Sequence, residues 1–199
     1  MLPPIQDPPR LRNAAATRQA ILASARRHFA RDSYENVGLR EIAGDAGIDP
    51  ALIGRYFGSK EQLFAEAVRG EDRDMLQDIP RERLADHLAA LLTDESRQDC
   101  GAAAAKIDKL LILLRSASSP HASQIIREAM SEDMLRPIIR SVGGADAEAR
   151  ASLCLAVLMG VGILRSAMTL DSLCVIDKDL LRRRLTALFS TALADGMSD

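Results

Sequence analysis

Apolar residues recur at helical spacing along almost the whole chain of 199 residues. Near the N-terminus, Ile21, Ala25 and Phe29 lie four residues apart, which predicts a helix that starts at residue 13 or 17 and ends near residue 31. The C-terminal two-thirds of the chain shows no alternation of apolar and polar residues, the pattern that is typical of strands. The pattern therefore predicts an all-α protein.

Two short helices follow the first one, and a single glycine separates them. An apolar pattern at i, i+3, i+4 and i+7 predicts a second helix from Leu39, and Gly47 supplies the left-handed residue that ends it. Asp49 is a good N-cap residue, and Pro50 suits the start of a third helix that runs to Phe57. Two short helices joined in this way are typical of a helix-turn-helix.

The remaining chain divides into a fourth helix, which a Ser-x-x-Gln capping pattern opens at residue 59, and about five more. Turn-forming residues predict breaks at residues 78–80, 93–99, 118–120, 143–144 and 171–177. The penultimate helix has no charged residue between Arg150 and Arg165, so more than one of its sides must be covered.

Close packing against helices from outside its own domain would cover that penultimate helix. Ala156, Gly160 and Gly162 would let another helix approach closely. The last helix offers apolar residues at helical spacing, namely Leu181, Leu185, Leu188 and Ala192. Burial of the penultimate helix within a monomer is the alternative.

Charge is distributed unevenly along the chain. Residues 1–12 contain four prolines together with Arg10 and Arg12, which predicts a flexible basic arm. From Arg10 to Lys60 there are nine Lys and Arg residues against five Asp and Glu, whereas residues 61–199 carry 17 against 22. The basic N-terminal part is therefore the candidate for contact with a phosphate-bearing partner.

Several classes of protein are not expected. The longest uncharged apolar run, residues 151–164, is too short to span a bilayer, and no signal-peptide pattern opens the chain, so we expect a cytoplasmic protein without a membrane anchor. Cys100, Cys154 and Cys174 are odd in number and widely spaced, which favours buried reduced thiols over disulfides.

Catalysis is not expected either. The three histidines are scattered, without a second ligand in metal geometry, and the chain contains no phosphate loop, nucleophile elbow or dinucleotide fingerprint. We therefore expect no catalytic residue, no metal site and no cofactor.

Two stretches, TRQAILASARRHF and YENVGLREIAGDAGIDPALIGRYFGSKEQLF, together resemble the DNA-binding domain of the TetR family of bacterial transcriptional regulators over residues 17–68. The stretches LLILLRSASSPHASQIIREAM, MLRPIIRSVGG and LAVLMGVGILRSAM resemble the regulatory and dimerisation domain of one branch of that family. After the flexible basic arm of residues 1–12, the resemblance implies a three-helix DNA-binding domain in residues 13–70 and a larger helical regulatory and dimerisation domain in residues 71–199. It also implies that the last two helices of the chain pair with those of a second copy in a homodimer.

The resemblance also implies which residues contact DNA. The third helix would enter the major groove, where Arg55 can bind guanine in a bidentate manner and Tyr56 can reach a phosphate or a base edge. Arg40 and Lys60 occupy positions that contact phosphates in the family. Gly54 departs from the family pattern, and so do residues 37–38. Both departures remove hydrogen bonds from the protein to DNA phosphates, and the basic arm could replace these contacts. The expected DNA-contacting set is Gly38, Leu39, Arg40, Pro50, Ala51, Leu52, Gly54, Arg55, Tyr56 and Lys60.

A further expectation concerns an effector pocket in the C-terminal domain. After residue 64 the only aromatic residue is Phe189, which is expected at the dimer seam, so an aliphatic pocket for a non-stacking effector is expected. Arg115 or Arg127 would anchor an acidic effector. The expected lining is Leu88, Leu92, Leu110, Leu114, Ile126 and Met130. These six residues could instead simply pack as core.

The sequence thus predicts a repressor that binds a palindromic double-stranded DNA operator as a homodimer and is released by a small-molecule effector. One alternative is a DNA-binding regulator without a ligand, controlled by partners or by abundance. Another is a helical small-molecule-binding protein or enzyme in which the helix-turn-helix pattern is accidental.

Overall fold

The computed structural model of the chain describes residues 9–69, 75–94 and 100–195. Within these residues the structure is helical, with eleven α-helices, two π-helical turns and no strand, which confirms the all-α prediction. The π-helical turns are Ser131–Leu135 and Ile163–Ala167. The helices are α1 Pro9–Arg31, α2 Leu39–Asp45, α3 Ala51–Phe57, α4 Lys60–Arg69, α5 Arg81–Thr93, α6 Cys100–Ser116, α7 Pro120–Met130, α8 Arg136–Val142, α9 Ala147–Gly162, α10 Asp171–Cys174 and α11 Lys178–Leu193.

Helix α1 begins at Pro9, earlier than its apolar periodicity predicts. Residues 9–12, which fall within the predicted flexible basic arm, are therefore helical, and residues 1–8 of that arm lie outside the described residues. Proline is compatible with the first turn of a helix because the amide that it lacks has no intrahelical partner there. A proline-rich stretch can therefore lead directly into α1.

The N-terminal helices enclose a small core with an aromatic centre. Phe29 and Phe64 are fully buried, and their ring centroids lie 4.9 Å apart in an edge-to-face arrangement. Tyr34 packs against Phe64 at the same centroid distance. Phe57 is also buried, and the guanidinium carbon of Arg18 lies 4.6 Å from its ring centroid. These aromatic residues near the N-terminus are thus close together because they fill one small core.

This first core extends across the predicted domain boundary at residue 70. Helix α1 lies along α6, and α4 lies along α7. Ile112 and Ile126 are buried in the same cluster as Phe29 and Phe64. Helices α6 and α7 therefore connect the C-terminal domain directly to the N-terminal one, which the sequence pattern did not reveal.

A second core lies between α5, α8, α9 and α11. Leu181, Leu185 and Phe189 of α11 are buried in this core, within their own subunit. The expectation that these three residues lie at a dimer seam is therefore wrong. Their apolar stripe faces α5 and α9, whereas Leu188, on a different side of α11, has 54% of its surface exposed.

Helix α9 continues into the second π-helical turn and forms a 21-residue apolar helix, Ala147–Ala167. By length and composition alone, this helix of the described residues is long and apolar enough to cross a membrane. The uncharged run of residues 151–164, which lies within it, is too short to do so. It contributes Ala151, Cys154 and Leu158 to the second core, and a core helix of a soluble protein meets the same criteria.

Cys154 and Cys174, the two cysteines whose side chains the structure describes, lie in different surroundings. Cys154 is buried on α9, and burial raises the pKa of its thiol to about 11. Cys174 is exposed because α10 is a four-residue helix without a buried residue, so the expectation of a buried thiol is wrong for Cys174.

Candidate DNA-binding interface

The turn between α2 and α3 has the features that its sequence predicts. Gly47 has φ of +67°, a left-handed conformation that favours glycine. The amide of Ile48 donates to the carbonyl of Ala43 over 3.0 Å, which closes the end of α2. The Asp49 carboxylate accepts from the amide of Ala51, the first residue of α3, over 2.8 Å, whereas Pro50 occupies the N-cap position.

Helix α3 has one buried face and one exposed face. Ile53 and Phe57 are buried in the first core, whereas Arg55 is exposed and forms no ion pair with any described residue. Leu52 and Tyr56 are half-buried at the edges of the exposed face. The other members of the expected DNA-contacting set on this helix and at its start are exposed, namely Pro50, Ala51 and Gly54. The face therefore offers an exposed cation on a surface with little steric bulk.

The N-terminus of α2 offers a second set of predicted contacts. Arg40 is exposed, whereas Gly38 and Leu39 are half-buried. The amide of Gly38 donates to a carboxylate oxygen of Glu41 over 3.0 Å. This amide is therefore already engaged within the protein, and Arg40 is the cation at this end of α2.

Lys60, at the start of α4, is held against the turn that follows α1. Its Nζ lies 4.6 Å from the ring centroid of Tyr34 and 3.5 Å from the backbone oxygen of Glu35, to which it donates. Partial burial lowers the pKa of the Lys60 ammonium. Because residues 32–38 lead into α2, these contacts place Lys60 beside the segment that carries Gly38.

Side chains of α1 hold α2 and α3 in position. Arg18 pairs with Glu66 while it covers Phe57, and so connects α1 to α3 and α4. The hydroxyl of Ser24 lies 2.8 Å from Oδ2 of Asp45, and Nη2 of Arg27 lies 2.6 Å from the same oxygen. These contacts lower the pKa of the Asp45 carboxyl, with the Ser24 hydrogen bond as the largest cause. Sequence analysis missed all of them because they join residues far apart in the chain.

Family models match both the N-terminal and the C-terminal part of the chain. Residues 21–67 match the family described as bacterial regulatory proteins, tetR family, and residues 103–193 match the tetracyclin repressor-like C-terminal domain. Together these spans cover more than half of the chain. The chain belongs to the TetR family. The predicted family and fold class are thereby confirmed.

Curated relatives of this TetR-family chain are regulators with a helix-turn-helix. The HTH-type transcriptional regulator BetI of Agrobacterium fabrum is 37% identical over 76 residues, which cover 34% of this chain and 37% of BetI. The HTH-type transcriptional repressor AcnR of Corynebacterium glutamicum is 32% identical over 95 residues, which cover 48% of this chain and 50% of AcnR. The chain thus spans at most half the length of these two relatives.

Solved structures share the fold over nearly the whole chain. NalD of Pseudomonas aeruginosa, the secondary repressor of the MexAB-OprM multidrug efflux pump, superposes with a TM-score of 0.62 at 18% identity, over 93% of this chain and 99% of NalD. GusR of Salmonella enterica superposes with a TM-score of 0.60 at 20% identity, over 87% of this chain and 95% of GusR. At this identity the similarity concerns the fold alone.

The six residues predicted to line an effector pocket in this TetR-family protein do not lie together in one core cluster. Leu88 and Leu92 are buried in the second core, whereas Ile126 is buried in the first core with Met130 packed against that cluster. Leu114 has 47% of its surface exposed. The predicted anchors Arg115 and Arg127 are also exposed.

Leu92 and Leu110 do meet beside α9. A Cβ atom at Gly162 would lie 3.7 Å from Cδ1 of Leu110 and 3.9 Å from Cδ2 of Leu92, so the glycine lets both side chains approach the α9 backbone. The guanidinium of Arg165 donates to the carbonyl of Leu92. Two aliphatic side chains and one cation therefore converge where α5, α6 and the end of α9 meet.

A stripe of small residues runs along the outer side of α9. Ser152, Ala156 and Gly160 follow one another at intervals of four residues, and Ser152 and Ala156 are exposed while Gly160 is half-buried. A Cβ atom at Gly160 would meet nothing within 4 Å. Leu153, beside this stripe, has 57% of its surface exposed.

Proposed function

We propose that this TetR-family protein is a cytoplasmic transcriptional repressor that binds a palindromic double-stranded DNA operator as a homodimer and is released from it by a small-molecule effector. One observation carries the DNA-binding part of the proposal. Helix α3 buries Ile53 and Phe57 on one side and presents on the other the guanidinium of Arg55, which pairs with no carboxylate of the described residues. A short, firmly packed helix with an exposed arginine suits the major groove.

The roles of the cations follow from their positions. Arg55 lies in the middle of the exposed face of α3, where its planar guanidinium would donate two hydrogen bonds to O6 and N7 of guanine. Arg40 and Lys60 lie at the starts of α2 and α4, where they would bind phosphates and fix the orientation of α3. Tyr56 lies at the edge of the same face and would contact the backbone or a base edge.

A homodimer through α9 and α11 fits the exposed side of the C-terminal domain. The small residues Ser152, Ala156 and Gly160 would allow a second helix to approach closely, and Leu153 and Leu188 would lose their exposure to water. Two α3 helices related by twofold symmetry would then read two half-sites of a palindrome.

An aliphatic, acidic effector fits the place where Leu92 and Leu110 meet beside Gly162. Arg165 would exchange the Leu92 carbonyl for an anionic group of the ligand, and the leucines would cover an aliphatic portion. Helix α6 contacts both this place and α1. Binding would release DNA only if the effector prefers the arrangement of α6 in which the two α3 helices no longer match the operator.

A regulator without an effector is the second candidate. Leu88, Leu92 and Ile126 are each buried in well-packed clusters, as core residues are. Thermal-shift screening separates the two candidates, because a ligand that binds only the folded state raises the melting temperature. Stabilisation by aliphatic acids favours the effector, whereas planar polyaromatic ligands as the only stabilisers contradict an aliphatic site.

Selection of genomic DNA fragments by the purified protein tests the central part of the proposal. The expected result is enrichment of one palindromic sequence, with a complex of two chains per site. Failure to retard any genomic DNA at low salt would contradict DNA binding and favour a helical ligand-binding protein or enzyme, since nonspecific binding to phosphates is strongest at low salt.

A further inference from the structure

The N-terminus of α7 contacts the DNA-binding domain through polar side chains. The hydroxyl of Ser119 donates to the carboxylate of Glu35, in the turn between α1 and α2, and accepts from the amide of Ala122 over 3.0 Å. Ser119 therefore caps α7 and binds the turn at the same time. The hydrogen bond from Ser119 is the largest cause of the lowered pKa of Glu35.

His121, two residues further along the chain, contacts the same region. Its ring stacks on Tyr34 with centroids 5.8 Å apart and an interplanar angle of 27°. Its Nε2 lies 3.7 Å from Oε1 of Glu61, which accepts from the Tyr34 hydroxyl over 3.0 Å. Burial and this hydrogen bond raise the pKa of Tyr34, so the tyrosine stays a donor at any ordinary pH.

Tyr34 and Glu35 also contact Lys60, a proposed phosphate contact. Its ammonium lies over Tyr34 and donates to the backbone of Glu35, and its next neighbour in the chain is Glu61. The charged groups that face His121 from the turn and from α4 are Glu35 and Glu61, and Lys60 lies over the Tyr34 ring on which His121 stacks. Two carboxylates beside a phosphate-binding cation weaken its attraction for DNA unless another cation offsets them.

We propose that His121 is a proton-sensitive positioning residue, which strengthens operator binding when its ring is protonated. The inference rests on the proposed function, because it concerns how strongly Lys60 binds a phosphate. A protonated ring would pair with Glu61, offset its negative charge near the DNA backbone, and hold Tyr34 beneath Lys60. The regulatory domain thus reaches the DNA-contacting surface through α7 as well as through the covalent link after α4.

The expected effect lies between pH 5 and 8, where histidine side chains commonly change charge. Since His121 has 66% of its side chain exposed, its ion pair is partly screened, and we expect operator binding about two- to fivefold tighter at pH 5.5 than at pH 8.0. His87 is the control, because its Nε2 lies 2.7 Å from the backbone oxygen of Met75 and the residue belongs to α5, which contributes to the second core.

The test measures the dissociation constant of the selected operator at pH 5.5 and pH 8.0, at one ionic strength, for the wild type and for variants at positions 121 and 87. His121→Gln should abolish the difference between the two pH values, and His87→Gln should retain it. His121→Lys should bind tightly at both, because its charge does not change over this range. Thermal melts at both pH values show whether each variant is folded.

Three outcomes would overturn the inference. The wild type could show no difference between the two pH values, His121→Gln could retain the difference, or His87→Gln could remove it. If His121→Gln does not fold, a pH-dependent affinity of His121→Lys would contradict the inference instead. A wild type that binds no DNA at either pH would overturn the proposed function as well, whereas binding without pH dependence overturns only the role of His121.

Discussion

Ile53 and Arg55 lie two residues apart on α3 and face opposite ways, with Ile53 fully buried and Arg55 exposed. The helix is therefore fixed by one face and free to read DNA with the other. Arg55→Ala should weaken binding to the preferred site by about 1 to 3 kcal/mol and flatten the base preference at one position of each half-site. Binding-site selection with the variant measures this effect, and an unchanged base preference would contradict the assignment.

The cations at the helix starts should behave differently from Arg55. Arg40→Ala and Lys60→Ala should weaken binding to all sequences, because a phosphate contact carries no sequence information. Each should also reduce the slope of log affinity against log salt by about 0.9 for each phosphate that the variant no longer neutralises. Titrations at several salt concentrations measure the slope. A slope equal to that of the wild type would show that the residue does not bind a phosphate.

If two α9 helices approach each other closely in the dimer, a large side chain at position 160 should keep them apart. Gly160→Leu should fit within the subunit, where a Cβ atom meets nothing within 4 Å, but it should keep a second helix away. Sedimentation should therefore show monomers that keep the melting behaviour of a folded domain. Gly44→Leu is the matched control, since Gly44 is also a helical glycine with open space at its Cβ position. A dimeric Gly160→Leu protein, or a monomeric wild type at micromolar concentration, would contradict this interface.

The end of α11 is held by the buried guanidinium of Arg150. Its Nη1 donates to the carbonyl of Leu193 and to Oδ1 of Asp195, and its Nη2 donates to the carbonyl of Gly143. Its Nε lies 2.8 Å from Oδ1 of Asp146, but the angles of this contact are not those of a hydrogen bond. Arg150→Met leaves two carbonyl groups without this donor and should lower the free energy of unfolding by about 3 kcal/mol.

Asp195→Asn provides the comparison for Arg150→Met. The Asp195 side chain is 68% exposed, and the guanidinium keeps its other acceptors in this variant. The cost should therefore remain below about 1 kcal/mol. Urea unfolding measures both variants. Equal costs would show that the exposed ion pair, rather than the carbonyl contacts, holds the end of α11.

The helix-turn-helix could be predicted from sequence because local signals determine it. The left-handed conformation of Gly47 and the hydrogen bond from the amide of Ala51 to the Asp49 carboxylate each involve residues only a few positions apart. Family motifs add the identity of the exposed cations. By contrast, the contacts of Arg18 with Phe57 and of Ser119 with Glu35 depend on how α1 and α7 pack, which no local pattern specifies.

The C-terminal domain shows the limit of periodicity most clearly. The stripe of Leu181, Leu185 and Phe189 correctly indicates a covered face, but a periodic pattern does not say what covers it. The structure places α5 and α9 of the same subunit there. Similarly, the aliphatic residues of α5 and α7 have the same spacing whether they pack as core or line a pocket, and in the structure they belong to two separate cores.

The spacing of the two half-sites tests most directly whether a dimer reads DNA through paired α3 helices. The measurement compares the affinity of the wild type for the selected palindrome with its affinity for palindromes lengthened at the centre by about 5 and about 10 base pairs. Insertion of half a turn places the second half-site on the opposite side of the duplex, and we predict that binding falls to the level of a single half-site. Equal affinity for the unchanged palindrome and for the one lengthened by half a turn would contradict the account.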